Sequence, residues 1–144
     1  MQTLDPHEFG IYDDRAIHLL PRWSGSYTTI DTFARAAADR TAAQFGDLLY
    51  ARVYDTVLGH EDPEATRVDA DRLMRGFADW YRRFPSQPLA NRYAAHAHAF
   101  GNFATVEVLF RKHLIEVHPM HWFDRDQPIE AWRSIQSNKR QAAR

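Results

Sequence analysis

The sequence predicts an all-α fold built from antiparallel helical hairpins, and three observations carry that expectation. Apolar residues recur at three- and four-residue spacing, as in Leu73, Phe77, Trp80, Tyr81 and Phe84. No stretch of convincing length alternates with a period of two. Helix starts and stops at Ser26, Gly46, Asp62-Pro63, Pro85, Gly101 and Asp126 leave only short connections between the periodic segments.

Composition narrows the class further. At 144 residues the chain is read as one domain, 1–144, and 44% hydrophobic with 26% charged residues is a globular balance. A net charge of −1 gives no global field toward nucleic acid or an anionic membrane, so neither is expected as a partner. The absence of cysteine excludes disulfides, thiolate metal sites and cysteine catalysis. No basic region followed by an apolar run marks a signal peptide, and no segment approaches a membrane span, so a soluble cytoplasmic protein is expected.

The elements follow in order. Residues 1–10 read as irregular around Pro6 and Gly10. Residues 11–20 read as a short helix, with Asp13 or Asp14 near its start, Ile17 and Leu20 facing inward, and Pro21 ending it. The turn 23–26 leads to a helix over 27–45, with Ser26 or Thr28 as N-cap and Asp31 completing a capping box with Thr28. Gly46 breaks that helix and Asp47 caps the next, 48–58, on which Leu49, Val53 and Val57 stack between Tyr50 and Tyr54. Asp62-Pro63-Glu64 reads as the start of a helix reaching Phe84, with an irregular opening turn near Thr66.

The segment 88–113 reads as a hairpin turning at Phe100-Gly101-Asn102. Its first helix is lined with Ala90, Ala94, Ala95, Ala97 and Ala99, and its second with Phe103, Val106, Leu109 and Phe110. Residues 114–123 run irregularly over the surface. A last helix starts at Asp126-Gln127-Pro128 and passes through Ile129, Trp132 and Ile135, with a frayed basic tail over 137–144. The apolar face of this last helix also offers a homodimer surface.

Counted from Gln87, the hairpin places Ala94, Phe103, Val106 and Phe110 at the small and aromatic positions of a 34-residue tetratricopeptide frame. That match adds a tetratricopeptide-like right-handed stack to the expected fold. The stretch Leu20-Pro21-Arg22-Trp23-Ser24-Gly25-Ser26, then Phe33-Ala34, then Leu49-Tyr50-Ala51-Arg52-Val53-Tyr54 continues the pattern upstream. Downstream come Arg83-Phe84-Pro85, Asn91-Arg92-Tyr93-Ala94 and Leu109-Phe110. In this order the motifs resemble a bacterial domain family of unknown function, with LPRWxGS and LYARxY signatures and tetratricopeptide-like helical hairpins. Ser24 stands where that family commonly has glycine, and Asp55 where a tryptophan is expected. The resemblance implies the helical fold and no activity.

The residues singled out by type and motif are Arg22, Trp23, Arg52, Tyr54, Asn91 and Tyr93, read as contacts for a protein or peptide partner. Structural roles compete with that reading: Trp23 can plug the end of the first helix pair, and Arg52 can pair along its own helix with Asp55 and Thr56. A sharper alternative brings Arg22 and Arg52 together as an anion clamp. His96 and His98 lie two apart on a helix, on nearly opposite faces, and cannot share a metal. His113, His118 and His121 are the alternative, as the centre of a small metal-binding enzyme, although no H-E-x-x-H spacing supports it. No nucleophile elbow or phosphate loop is present either. The expected function is therefore a non-enzymatic helical scaffold without a cofactor, in an adaptor or immunity-type role.

Overall fold

The computed structural model describes residues 8–142, with side chains through residue 137. The expectations for residues 1–7 and 143–144 lie outside the described residues. The fold is all-α: the helices are α1 (Phe9–His18), α2 (Tyr27–Phe45), α3 (Leu48–Leu58), α4 (Ala70–Arg83), α5 (Gln87–Ala99), α6 (Phe103–Lys112) and α7 (Gln127–Ala142). No strand occurs among the described residues, and none of their helices is long and apolar enough to cross a membrane. The chain, read from its length as one domain, forms two compact units, one ending at Arg83 and the other beginning at Phe84.

The first unit is organised around α3. Leu48, Leu49, Tyr50, Ala51, Val53, Tyr54, Val57 and Leu58 are all buried, and Asp55 with them, so most of the helix surface is enclosed. It can be stable only when surrounded, and it packs against α1, α2 and α4. Helix α2 offers the small residues Ala34, Ala37 and Ala38 together with Ile30, all buried. Ser26 caps it by accepting from the Thr29 amide, as expected. Asp31 forms no box with Thr28; its carboxylate instead takes the Tyr54 hydroxyl at 2.6 Å and Arg35 Nε at 2.7 Å.

Two glycines set the approach of α4. Gly46 turns the chain between α2 and α3 at φ +59°, and a Cβ there would collide with the Asp79 carboxylate. That carboxylate is needed in place, because it accepts the Asp47 amide at 2.9 Å. Asp47 does not cap α3 with its side chain; it receives Arg72 Nε at 2.9 Å and Arg75 Nε at 3.4 Å. Gly76 lies where α4 crosses α3, and a Cβ on it would stand 2.5 Å from the Asp47 carbonyl oxygen and 2.7 Å from the Ala51 Cβ.

The opening of α4 differs from the sequence expectation. Asp62-Pro63 starts only a 3₁₀ turn, Pro63–Ala65, after which Thr66 is extended and its hydroxyl donates back to the Pro63 carbonyl. The helix begins at Ala70, where Asp69 accepts the Arg72 amide on its side chain and donates its own amide to the buried Tyr50 hydroxyl. A tertiary contact therefore sets this start. Helix α1 also begins earlier than expected, burying Phe9 and Ala16, while Phe9 meets Phe45 edge-on at 5.2 Å.

In the second unit α5 packs on α6, and α6 and α5 both meet α7. Ser86 caps α5 by accepting from Leu89, and Gly101 at φ +75° turns the hairpin at the expected place. Ala90, Ala94, Ala95 and Ala97 are buried, as are Val106 and Leu109, whereas Ala99 and Phe103 are exposed. Helix α7 buries Ala131 and Ile135, and its backbone stays helical to Ala142, through most of the segment read as a frayed tail.

The α3–α4 crossing is tested by two glycines of opposite character. Gly76→Ala is expected to destabilise by about 1–3 kcal/mol through overpacking, against its helix-propensity gain of about 1 kcal/mol. Gly10→Ala, in α1 with open space around it, is expected to stabilise by about 0.5–1 kcal/mol. Chemical denaturation of both variants measures the difference.

Candidate functional site

The first unit holds four of the six residues singled out by sequence, and it separates them into two roles. Leu20, not Trp23, plugs the end of α1; Leu20 is buried and Trp23 is 63% exposed. Between them the chain makes a 3₁₀ turn, Pro21–Trp23, closed by amides of Trp23 and Gly25 on the Leu20 carbonyl and of Ser24 on Pro21. Ser24 leaves the turn at φ +70°, the left-handed region that glycine favours. Arg22 and Trp23 are thus exposed side chains on a backbone already fixed.

Arg52 and Tyr54 face inward. The Arg52 guanidinium sits 5.2 Å from the Phe9 ring centroid and 5.5 Å from that of Trp80. Its Nε and Nη2 take the two oxygens of Asp13 on α1 at 3.0 and 2.8 Å, a bidentate pair. Arg52 therefore joins α1, α3 and α4, and with its fork spent on Asp13 it forms no anion clamp with Arg22. Tyr54 is fully buried, which excludes it as a surface contact. Burial, and then the bond to the Asp31 carboxylate, push its phenol far above the ordinary range; burial also raises Tyr50. Arg72 lies over the Tyr50 ring, and bonds to Asp39 and Asp47 outweigh the burial that opposes its charge.

The second unit holds Asn91 and Tyr93 on α5, with Tyr93 half-buried. Asn91 is wholly buried and uses all its hydrogen-bonding capacity. Its Nδ2 donates to the carbonyls of Gln87 and Glu116 at 2.8 and 3.0 Å. Its Oδ1 accepts the His118 amide at 2.8 Å and the Trp122 indole N–H at 3.0 Å. Two carbonyls on one side and two N–H donors on the other allow only one orientation of the amide. Asn91 is a fastener for the irregular strap between α6 and α7, not a contact offered to solvent.

Two glutamines complete the fastening, and the sequence reading missed both. Gln87 donates to the His113 carbonyl at 2.9 Å and accepts the amides of Ile115 and Glu116 at 2.9 and 3.3 Å. Gln127 accepts the Phe123 amide at 2.8 Å and donates to the Ala95 carbonyl and His98 Nδ1 at 3.1 Å each. Each precedes a proline in the first turn of its helix, and that repeated Gln-Pro is the trace sequence reasoning could have followed. Trp122 is buried beside Phe110, at 5.9 Å between rings, while Ile115 and Met120 are 85% and 83% exposed.

The histidines do not assemble a metal centre among the described residues. Among the described residues no three histidine, aspartate or glutamate side chains are gathered to hold an ion. His118 Nε2 bonds Glu116 at 2.9 Å and its ring lies 6.0 Å from that of His121, while the His113 carbonyl serves Gln87. The geometry can present fixed backbone and exposed side chains. No protein-family model, curated protein or solved structure matches the chain.

Asn91→Ala is expected to cost about 3 kcal/mol or more, because it leaves strap groups unpaired, and urea unfolding measures it. The tyrosines predict an alkaline limit. An unfolded phenol ionises near 10.0, whereas folded Tyr54 keeps its proton well above that. Stability from this group is fully present below pH 10 and declines above it by about 1.4 kcal/mol per pH unit. Tyr54→Phe should reduce that slope in thermal melts between pH 9 and 11.

Proposed function

We propose that the chain is a non-enzymatic helical scaffold that binds a protein or peptide partner, in an adaptor or immunity-type role. The observation that supports the reading is the exposed pair Arg22 and Trp23 on the closed turn after α1. Tryptophan and arginine are the side chains that most often dominate protein interfaces. A turn whose amides are already bonded loses little freedom when a partner covers it. Of the sequence-derived contacts, these two carry the proposal; Tyr54 and Asn91 are interior, and Arg52 is committed to Asp13.

The tetratricopeptide-like stack and the relationship to the LPRWxGS and LYARxY family belong to the same proposal, supported by the motif order from Leu20 to Phe110. So does a cytoplasmic location, in keeping with a chain that has no cysteine. The His113, His118 and His121 enzyme reading is not favoured, because their donors are not drawn together.

Affinity capture from the native host, run side by side with wild type and Trp23→Ala, tests the scaffold. The proposal expects a stoichiometric partner whose affinity falls by about thirtyfold in the variant, at unchanged melting temperature. A partner bound equally by wild type, Trp23→Ala and Arg22→Ala would remove the turn from the interface. Stoichiometric zinc, iron or manganese in untagged protein would favour the enzyme instead.

A further inference from the structure

We infer that His98 is a proton-operated latch between α5 and the start of α7, closed while its imidazole is neutral and opened when it is protonated. The latch lies in the second unit and is independent of the partner-binding turn of the first. Its centre is the Gln127 amide, which has one orientation open to it. Oε1 accepts the Phe123 amide at 2.8 Å, and a backbone N–H can only donate. Nε2 donates to the Ala95 carbonyl at 3.1 Å, and a carbonyl can only accept. One Nε2 hydrogen is thus spent on Ala95, and the second is left for His98 Nδ1, also 3.1 Å away. An amide nitrogen has no lone pair to offer, so Nδ1 must be the acceptor. The hydrogen-bond network therefore assigns the ring proton to Nε2 and makes His98 neutral in the closed arrangement.

Protonation puts a hydrogen on Nδ1, facing a hydrogen of Gln127. Turning the amide over would offer Nδ1 an oxygen. It would also set Nε2 against the Phe123 N–H and Oε1 against the Ala95 carbonyl, losing two bonds to gain one. The ring gives way instead: His98 is half-buried and can swing toward solvent, leaving its edge contact with Phe103 at 6.2 Å. Gln127 is itself buried, so its second hydrogen is then left without an acceptor. The hold of α5 on the first turn of α7 weakens, and the Phe123 amide on the same side chain reports it.

The other titratable groups near the latch are engaged elsewhere or exposed. At the start of α7, Asp124 accepts the amides of Asp126 and Gln127, while Asp126 and Glu130 are exposed. On α6, Glu107 lies one turn beyond Phe103 and holds Arg111 at 3.0 Å. In the connection between α6 and α7, the His121 ring lies 6.0 Å from that of His118. On α5 itself, His96 meets the Phe123 ring edge-on at 4.9 Å. Among the described residues the His98 ring contacts Gln127 and Phe103, neither of them charged. An imidazole changes charge between about pH 5 and 8, so mild acidification works the latch.

Amide hydrogen exchange of the full chain, read by nuclear magnetic resonance at about pH 7.5 and 5.5 and corrected for intrinsic rates, tests this. The protection factor of the Phe123 amide should fall about tenfold at the lower pH, while amides in the middle of α3 keep theirs. His98→Asn places a side-chain oxygen where Nδ1 stands and cannot titrate, so it should abolish the response. A response that persists in this variant belongs to His96 or another histidine and overturns the inference. The wild type decides by itself if the variant fails to fold. The His98 Nδ1 nitrogen shift should mark an unprotonated acceptor at the higher pH, and its titration should coincide with the loss of Phe123 protection. A proton on Nδ1 at the higher pH, or a Phe123 amide indifferent to the titration, overturns the latch as well.

Discussion

A buried side-chain amide carries two donors and two acceptor positions, and an empty one costs more than a filled one returns. Asn91 fills all of them, on the carbonyls of Gln87 and Glu116, the His118 amide and the Trp122 indole. The second unit depends on this constraint, because the strap between α6 and α7 has few backbone partners of its own. Aspartate at this position would lose both donors, and leucine would strand two carbonyls and two N–H groups. Gln87 and Gln127 extend the same chemistry to either end of the strap. Side-chain amides here do what a sheet ladder does elsewhere: they satisfy backbone that has left the helix, on either side of the Pro119–His121 turn.

The first unit solves a related problem differently. Its central helix is enclosed by α1, α2 and α4, yet Tyr50 and Tyr54 bring hydroxyls into the interior, where the Asp69 amide just ahead of α4 and the Asp31 carboxylate of α2 meet them. Asp47, Asp79 and Arg72 fix the crossing of α4 on α3 that Gly76 makes close enough. Arg52 spends its charge on Asp13 and its faces on two aromatic rings. Polar residues that look functional by type are thereby consumed in packing. In this unit the Pro21–Trp23 turn keeps Arg22 and Trp23 exposed side by side.

What was legible in the sequence follows from how local each cause is. The ends of α2 depend on Ser26 and Gly46, and the hairpin turn on Gly101, so neighbouring residues sufficed to place them. Asp62-Pro63 signals a start that α4 does not use, because the Tyr50 hydroxyl that fixes Asp69 comes from 19 residues away. Local spacing offers Arg52 neighbours on its own helix, whereas its partner Asp13 lies 39 residues back. Residue type alone marks Tyr54 and Asn91 as contacts. Their burial depends on α3 being enclosed and on a strap that no periodicity announces. The glutamines escaped notice because their partners are main-chain groups, which leave no mark in a sequence.

The second unit stands on the Asn91 amide, and nuclear magnetic resonance addresses that group directly. Both Nδ2 protons should exchange slowly with solvent and show through-bond couplings to the carbonyl carbons of Gln87 and Glu116, with the His118 amide coupled to Asn91 Cγ. Asn91 side-chain protons exchanging at the rate of a free carboxamide, with no such couplings, would contradict it.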